Sequence, residues 1–124
     1  GLYRRLAGLE EASQIESFAA ELIDRFGPLP DEVENLIQII AIKQLCRQAG
    51  VEQFDAGPKG AVVRFHNDEF ADPVALVQFI QEMPGQVSVR PAHRLVIKRE
   101  WGRAETRLKG SRQLLTRLAA LAGA

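Results

Sequence analysis

Apolar residues recur every three or four positions along two consecutive stretches, which is the spacing of one face of a helix. The first stretch ends at Phe26, and its apolar positions are Ile15, Phe18, Ala19, Leu22, Ile23 and Phe26. The second runs from about Pro30 to Ala49 and carries apolar residues on two sides. We therefore expect the second helix to be the central one of the domain.

Local signals mark the ends of these helices. Ser13 followed by Glu16 is the spacing of a capping box, in which a hydroxyl and a carboxylate each bind an exposed backbone N–H. Gly27 can adopt the left-handed conformation that closes a helix, and Pro28 cannot continue one. A further short helix is predicted over residues 2–11, entering from whatever precedes.

After Gly50 the period of the pattern changes. Residues 51–55 and 61–65 are short runs rich in Val and Phe, and the residues between them predict a hairpin whose loop is longer than the tightest kind. Asp72 followed by Pro73 predicts a helix start. That helix is expected to reach about Glu82 and to bury three apolar residues. They are Leu76, Val77 and Ile80.

Two more strands and a last helix complete the pattern. The strands are predicted at 87–89 and 95–97, and the helix begins near Gly102. The order α-α-α-β-β-α-β-β-α predicts an α+β fold, with helices packed on a small, mainly antiparallel sheet. A chain of 124 residues fits a single domain over 1–124, with 1–12 as an entering segment. We interpret the chain as an excerpt of a longer protein and expect a monomer.

The formal net charge is zero, but its distribution along the chain is uneven. Residues 1–89 carry 7 Lys/Arg and 14 Asp/Glu, whereas residues 90–124 carry 9 and 2. Either the two halves face each other and partly neutralise, or they form surfaces with different partners. The sequence leaves both readings open.

The sequence contains no recognisable catalytic set. The stretch from Gly57 to Gly60 lacks the spacing of a phosphate-binding loop, and two scattered histidines with one cysteine rarely supply a zinc site. Cys46 lies on an apolar helical face, where an inert buried thiol is expected. We therefore expect no enzyme activity, metal or cofactor in this domain. A lone cysteine fits a reducing compartment, so a cytoplasmic location is expected, and no apolar run is long enough to span a membrane.

Two groups of charged residues are candidate binding sites. Glu21, Asp24 and Arg25 lie together opposite the apolar face of the first helix, although Glu21 and Arg25 could simply form an exposed pair. The basic C-terminal segment offers a nucleic-acid alternative, but its charges do not form one stripe and few aromatics interleave with them. The candidate contacts there are Arg103, Arg107, Lys109 and Arg112.

Residues 21–30, ELIDRFGPLP, closely resemble a signature of the C-terminal domain of the bacterial transcription-repair coupling factors, the Mfd family. The similarity continues through 31–34, 41–43, the hairpin at 57–60 and residues 67–73. It covers most of the chain, from about residue 2 to residue 121.

The resemblance implies a non-catalytic regulatory domain. Its parent would be an ATP- and Mg-dependent DNA translocase that displaces stalled RNA polymerase and recruits the repair protein UvrA. The domain would dock on the parent's N-terminal UvrB-like module and mask the UvrA-binding surface. By motif, the resemblance places Glu21, Asp24 and Arg25 in that interdomain interface. The alternative is a nucleic-acid-binding module that uses the basic segment 90–117.

Overall fold

The computed structural model describes residues 12–123, and the side chains of residues 14–123. The elements in chain order are α1 (Ala12–Phe26), α2 (Asp31–Ala49), β1 (Val51–Gly57), β2 (Gly60–Phe65), a 3-10 turn (His66–Asp68), α3 (Pro73–Glu82), β3 (Val87–Arg90), β4 (Arg94–Lys98) and α4 (Ala104–Leu121). This order confirms the predicted α+β fold. The helix predicted over residues 2–11 and the Ser13 side chain of the capping box lie outside the described residues.

The chain divides into two compact units, residues 1–44 and residues 45–124. The described part of the first unit is a helical hairpin of α1 and most of α2. The second contains the end of α2, the sheet, α3 and α4. The single domain over 1–124 stays a prediction.

The hairpin of the first unit is held by one apolar cluster. Its buried members are Ile15, Phe18, Leu22, Ile37, Ile40 and Ala41. The turn that brings the helices together depends on Gly27, whose φ is +83°. Its N–H donates to the Ile23 carbonyl at 2.8 Å, which ends α1 as predicted. The cluster confirms that the central part of α2 is a core face.

The sheet of the second unit has the strand order β1-β2-β4-β3, and every neighbouring pair is antiparallel. Its inner face is buried, through Ala61, Val63, Phe65, Val87, Leu95 and Ile97. Alternate residues of the same strands therefore form an outer face.

The β1–β2 hairpin is tighter than predicted. Gly57 pairs with Gly60, so only Pro58 and Lys59 form the loop, and the prediction of a longer loop is wrong. The reason is a close approach to the chain after β4. The Pro58 carbonyl accepts from the Trp101 N–H at 2.8 Å, and a Cβ on Gly60 would collide with the Ile97 carbonyl. Glycine at position 60, with φ of +128°, permits this contact.

The start of α3 is as predicted, but its buried face is not. The Ala75 N–H donates to Asp72 Oδ1 at 3.1 Å, which is the expected cap. Val77, predicted to be buried, is 51% exposed, whereas Phe79 is only 1% exposed. Phe79 fixes the inward side of this short helix, and Val77 lies too far round the helix to share it.

Candidate interaction surface at the end of the first helix

The charged side chains at the end of α1 lie on its outer side. Asp24 and Arg25 are exposed and Glu21 is partly exposed. Arg25 Nη1 lies 3.8 Å from Glu21 Oε1, and these side chains are 59% and 40% exposed. An exposed pair at this spacing contributes only about 0.3–0.5 kcal/mol to the helix. These groups therefore add little to folding, and water already reaches them.

Two apolar residues predicted to be buried are exposed beside these charges. Phe26 is 65% exposed and Ile23 is 49% exposed, so their assignment to the core face is wrong. The buried residues of α1 end at Leu22. The last turn of the helix continues past this cluster before the chain reverses at Gly27. Phe26 therefore points in the direction of the apolar stripe but has no core beneath it.

The charged and apolar residues are exposed near one another over the last two turns of α1. We call this part of the helix the α1-end surface, and it consists of Glu21, Ile23, Asp24, Arg25 and Phe26. The Arg25 guanidinium carbon lies 5.3 Å from the centre of the Phe26 ring. A cation over an aromatic face at an exposed site is attracted to it by about 0.5–1 kcal/mol. Sequence periodicity could not detect the apolar half, because it assigns Phe26 to the core.

The predicted basic contacts do not come together on α4. Arg107 is half-buried, and its Nε donates to the Trp101 carbonyl at 3.3 Å. Arg103 and Lys109 are exposed, and Arg112 is half-buried and already has an interaction within the chain. Lys109 and Arg112 project on the side of the helix away from Arg107, and Arg103 precedes the first helical residue. Phosphate binding favours cations on one face, which this arrangement does not supply.

The described residues contain little that resembles reaction chemistry. No group of three or more His, Cys, Asp or Glu within residues 12–123 could hold a metal ion. Cys46 is half-buried, and burial raises the pKa of its thiol to about 11, so it is neutral at physiological pH. A neutral thiol is a poor nucleophile. No helix in the described part of the chain is long and apolar enough to cross a membrane.

The comparisons with known proteins indicate the same family. The family model described as the TRCF domain matches residues 1–76. The transcription-repair-coupling factor of Rickettsia prowazekii (strain Madrid E) is 39% identical over 97 residues, covering 77% of this chain and 8% of that protein. The corresponding factor of Escherichia coli (strain K12) is 28% identical over 116 residues, covering 94% of this chain and 10% of that protein.

A solved structure matches nearly the whole chain. The crystal structure of the C-terminal domain of a transcription-repair coupling factor covers 98% of this chain, and the chain covers 79% of it. The TM-score is 0.76 at 18% sequence identity, so this likeness shows the fold alone. The chain spans about a tenth of the length of the curated relatives it matches.

Proposed function

The chain belongs to the TRCF-domain family of transcription-repair-coupling factors, and on that premise we propose that it is a regulatory docking module in transcription-coupled DNA repair. Its α1-end surface docks on the UvrB-like module near the N-terminus of the parent protein. In this docked state it masks the surface that binds UvrA. ATP-driven translocation on DNA and contact with stalled RNA polymerase belong to other parts of the parent.

The observation that carries this proposal is the exposed Phe26 next to three charged side chains. Phe and Arg are both enriched in protein–protein interfaces, so an exposed Phe26 beside Arg25 fits the composition of a binding surface. Polar and charged residues around such an anchor form the rim of a typical interface. Phe26 is 65% exposed and the Arg25 side chain is 59% exposed, so both are accessible to a partner.

Charged contacts also suit an interaction that must open. Complementary charges across a partly solvated interface give orientation and rapid association more than affinity. A masked state only a few kcal/mol more stable than the open state can then be released when the parent engages another partner. The basic residues of α4 support the nucleic-acid alternative less well, since Arg107 is bound within the fold.

Charge reversal in the full-length parent tests the proposal. Glu21→Lys combined with Asp24→Lys replaces attraction with repulsion at the docking interface, which can cost several kcal/mol. UvrA affinity in the absence of polymerase should therefore rise by about tenfold or more. Phe26→Ala should raise it as well, because it removes the apolar anchor. The wild-type masking should weaken as salt is raised.

A matched control separates a specific contact from a change of net charge. Glu69→Lys with Glu100→Lys changes net charge by the same amount at exposed positions of the second unit. This variant should keep the wild-type UvrA affinity. If the α1-end variants are folded and bind UvrA no better than the wild-type parent, the proposed docking role is wrong.

A further inference from the structure

Three arginines stand side by side on the outer face of the sheet. Arg90 of β3 is paired with Arg94 of β4. The β2–β4 register pairs Val63 with Leu95. The next residue of β2, Arg64, therefore lies opposite Arg94, so that Arg94 lies between Arg90 and Arg64. Paired residues share a face, and neighbouring strands are about 4.8 Å apart. The row therefore crosses three adjacent strands over roughly 10 Å.

This row is only partly neutralised within the described part of the chain, through Arg64. Arg64 Nη2 is 3.7 Å from Asp68 Oδ1, and the Arg64 Nε is buried without a hydrogen-bond partner. Arg90 and Arg94 are exposed and form no ion pair with any described residue. Like charges directly opposite each other destabilise a sheet. Charge at an edge strand can prevent aggregation, but this explains only Arg90, since β2 and β4 are interior strands.

An apolar floor lies next to the arginine row. Val62 and Val96 are paired on the same face and are half-buried. Over them opens a shallow, mostly apolar concavity of about 450 Å³, lined by residues 55–62, Val96 and Ile97. Gly57 lines the concavity, and a Cβ at this position would meet no atom within 4 Å. The one carboxylate in its lining, Asp55, accepts a hydrogen bond from Gln53 on the outermost strand β1.

Two lysines border the apolar floor on the side opposite the arginine row. Lys98 is four residues along β4 from Arg94, so the two lie on one face about 13 Å apart. Lys59 at the hairpin tip adds a second positive charge near Lys98 and also lines the concavity. We call this apolar floor with its two basic borders the basic groove. Its width matches the 10–12 Å diameter of an α-helix with its side chains.

We propose that the basic groove binds an amphipathic helix of a partner, one whose apolar stripe is flanked by Asp or Glu. The stripe packs on Val62 and Val96, and the flanking carboxylates pair with the arginine row on one side and with Lys98 on the other. Nucleic acid fits less well, because no outer-face side chain of the described strands is aromatic and bases would have nothing to stack on. This inference uses residues of the second unit and is independent of the proposed docking function.

Binding of synthetic peptides to the 124-residue chain tests the basic groove. The probe is a helical peptide of about 14 residues, three to four turns, with Leu at i, i+3, i+4 and i+7 and Glu on both flanks. Fluorescence anisotropy measures its affinity, and amide chemical shifts of the labelled chain locate it. We expect saturable binding, with the largest shift changes around Val62 and Val96.

Variants and control probes make the test decisive. Arg90→Glu with Arg94→Glu should weaken peptide binding by about tenfold or more, whereas Arg90→Lys with Arg94→Lys should stay within about threefold of wild type. Thermal unfolding checks that both variants are folded.

A scrambled peptide of equal composition should bind at least tenfold more weakly. Equal binding by the scrambled peptide, no effect of the Glu variant, or no peptide binding would overturn the proposal. So would tighter, Arg90- and Arg94-dependent binding of a short DNA duplex.

Discussion

The two units of the chain carry opposite charge and present different kinds of surface. Residues 12–44 have six Asp/Glu and two Lys/Arg, whereas residues 45–123 have eight and twelve. The first unit exposes an aromatic residue among charges at a helix end. The second exposes a sheet face with a row of arginines. A surface of one sign attracts partners of the other. If both proposed surfaces bind partners, we therefore expect those partners to differ in charge.

The units also differ in how apolar residues are distributed between core and surface. In the helical hairpin, Phe26 faces the direction of the core but extends past it. In the second unit, Val63, Ile97, Leu115 and Leu118 are almost completely buried. An apolar residue contributes to stability only where neighbours close around it, so burial separates core residues from surface residues better than sequence pattern does.

The largest expected effect is in the core of the second unit. Phe79→Ala should lower the free energy of unfolding by about 3–5 kcal/mol, because it empties a site that is only 1% exposed. Val77→Ala, two residues away and 51% exposed, is the control and should cost less than about 1 kcal/mol. Denaturant titration followed by fluorescence of Trp101, the single tryptophan, measures both. Similar losses in the two variants would contradict the assignment of the inward face of α3.

The outline of the fold was predictable because its signals are local. Helix periodicity, Gly27, and the Asp72–Pro73 start depend on residues close in sequence, and each was found where expected. The features that were predicted wrongly depend on contacts between residues that are distant in sequence. The hairpin loop is short because Pro58 and Gly60 meet the chain after β4, about forty residues later. Sequence pattern carries no information on such a contact before the tertiary fold is known.

A slightly smaller effect is expected in the core of the first unit. Ile40→Ala should cost about 2–5 kcal/mol, because Ile40 is 7% exposed within the hairpin cluster. Ile39→Ala is the matched control at the preceding position, where 41% of the residue is exposed, and should cost less than about 1 kcal/mol. Far-UV circular dichroism during denaturant titration measures both. A loss below about 1 kcal/mol for Ile40→Ala would show that this unit lacks the core assigned to it.

The candidate surfaces were predictable only in part. Glu21, Asp24 and Arg25 follow from helix geometry, since residues three and four apart share a face. The exposure of Phe26 does not follow from helix geometry, because it depends on how far along α1 the facing helix covers it. The arginine row does not either. Arg64 and Arg94 are thirty residues apart, and only the register of β2 on β4 makes them neighbours. Strand pairing between distant residues therefore creates clusters of charge on the surface. A count of charges along the sequence does not reveal such clusters.

The smallest effect concerns the cap of α3 and tests whether local chemistry alone sets an element of the second unit. Asp72→Ala removes the acceptor of the Ala75 N–H and leaves that donor exposed to solvent, so it should cost about 1 kcal/mol, within the 0.5–2 typical of such caps. Asp72→Asn keeps a side-chain oxygen at the same position and should be nearly neutral, since Asn caps helices about as well as Asp. Thermal and denaturant unfolding compare the two variants. Equal destabilisation by Ala and Asn would mean that the carboxylate charge at the helix N-terminus matters more than the hydrogen bond, because charge is lost in both variants and the acceptor in only one.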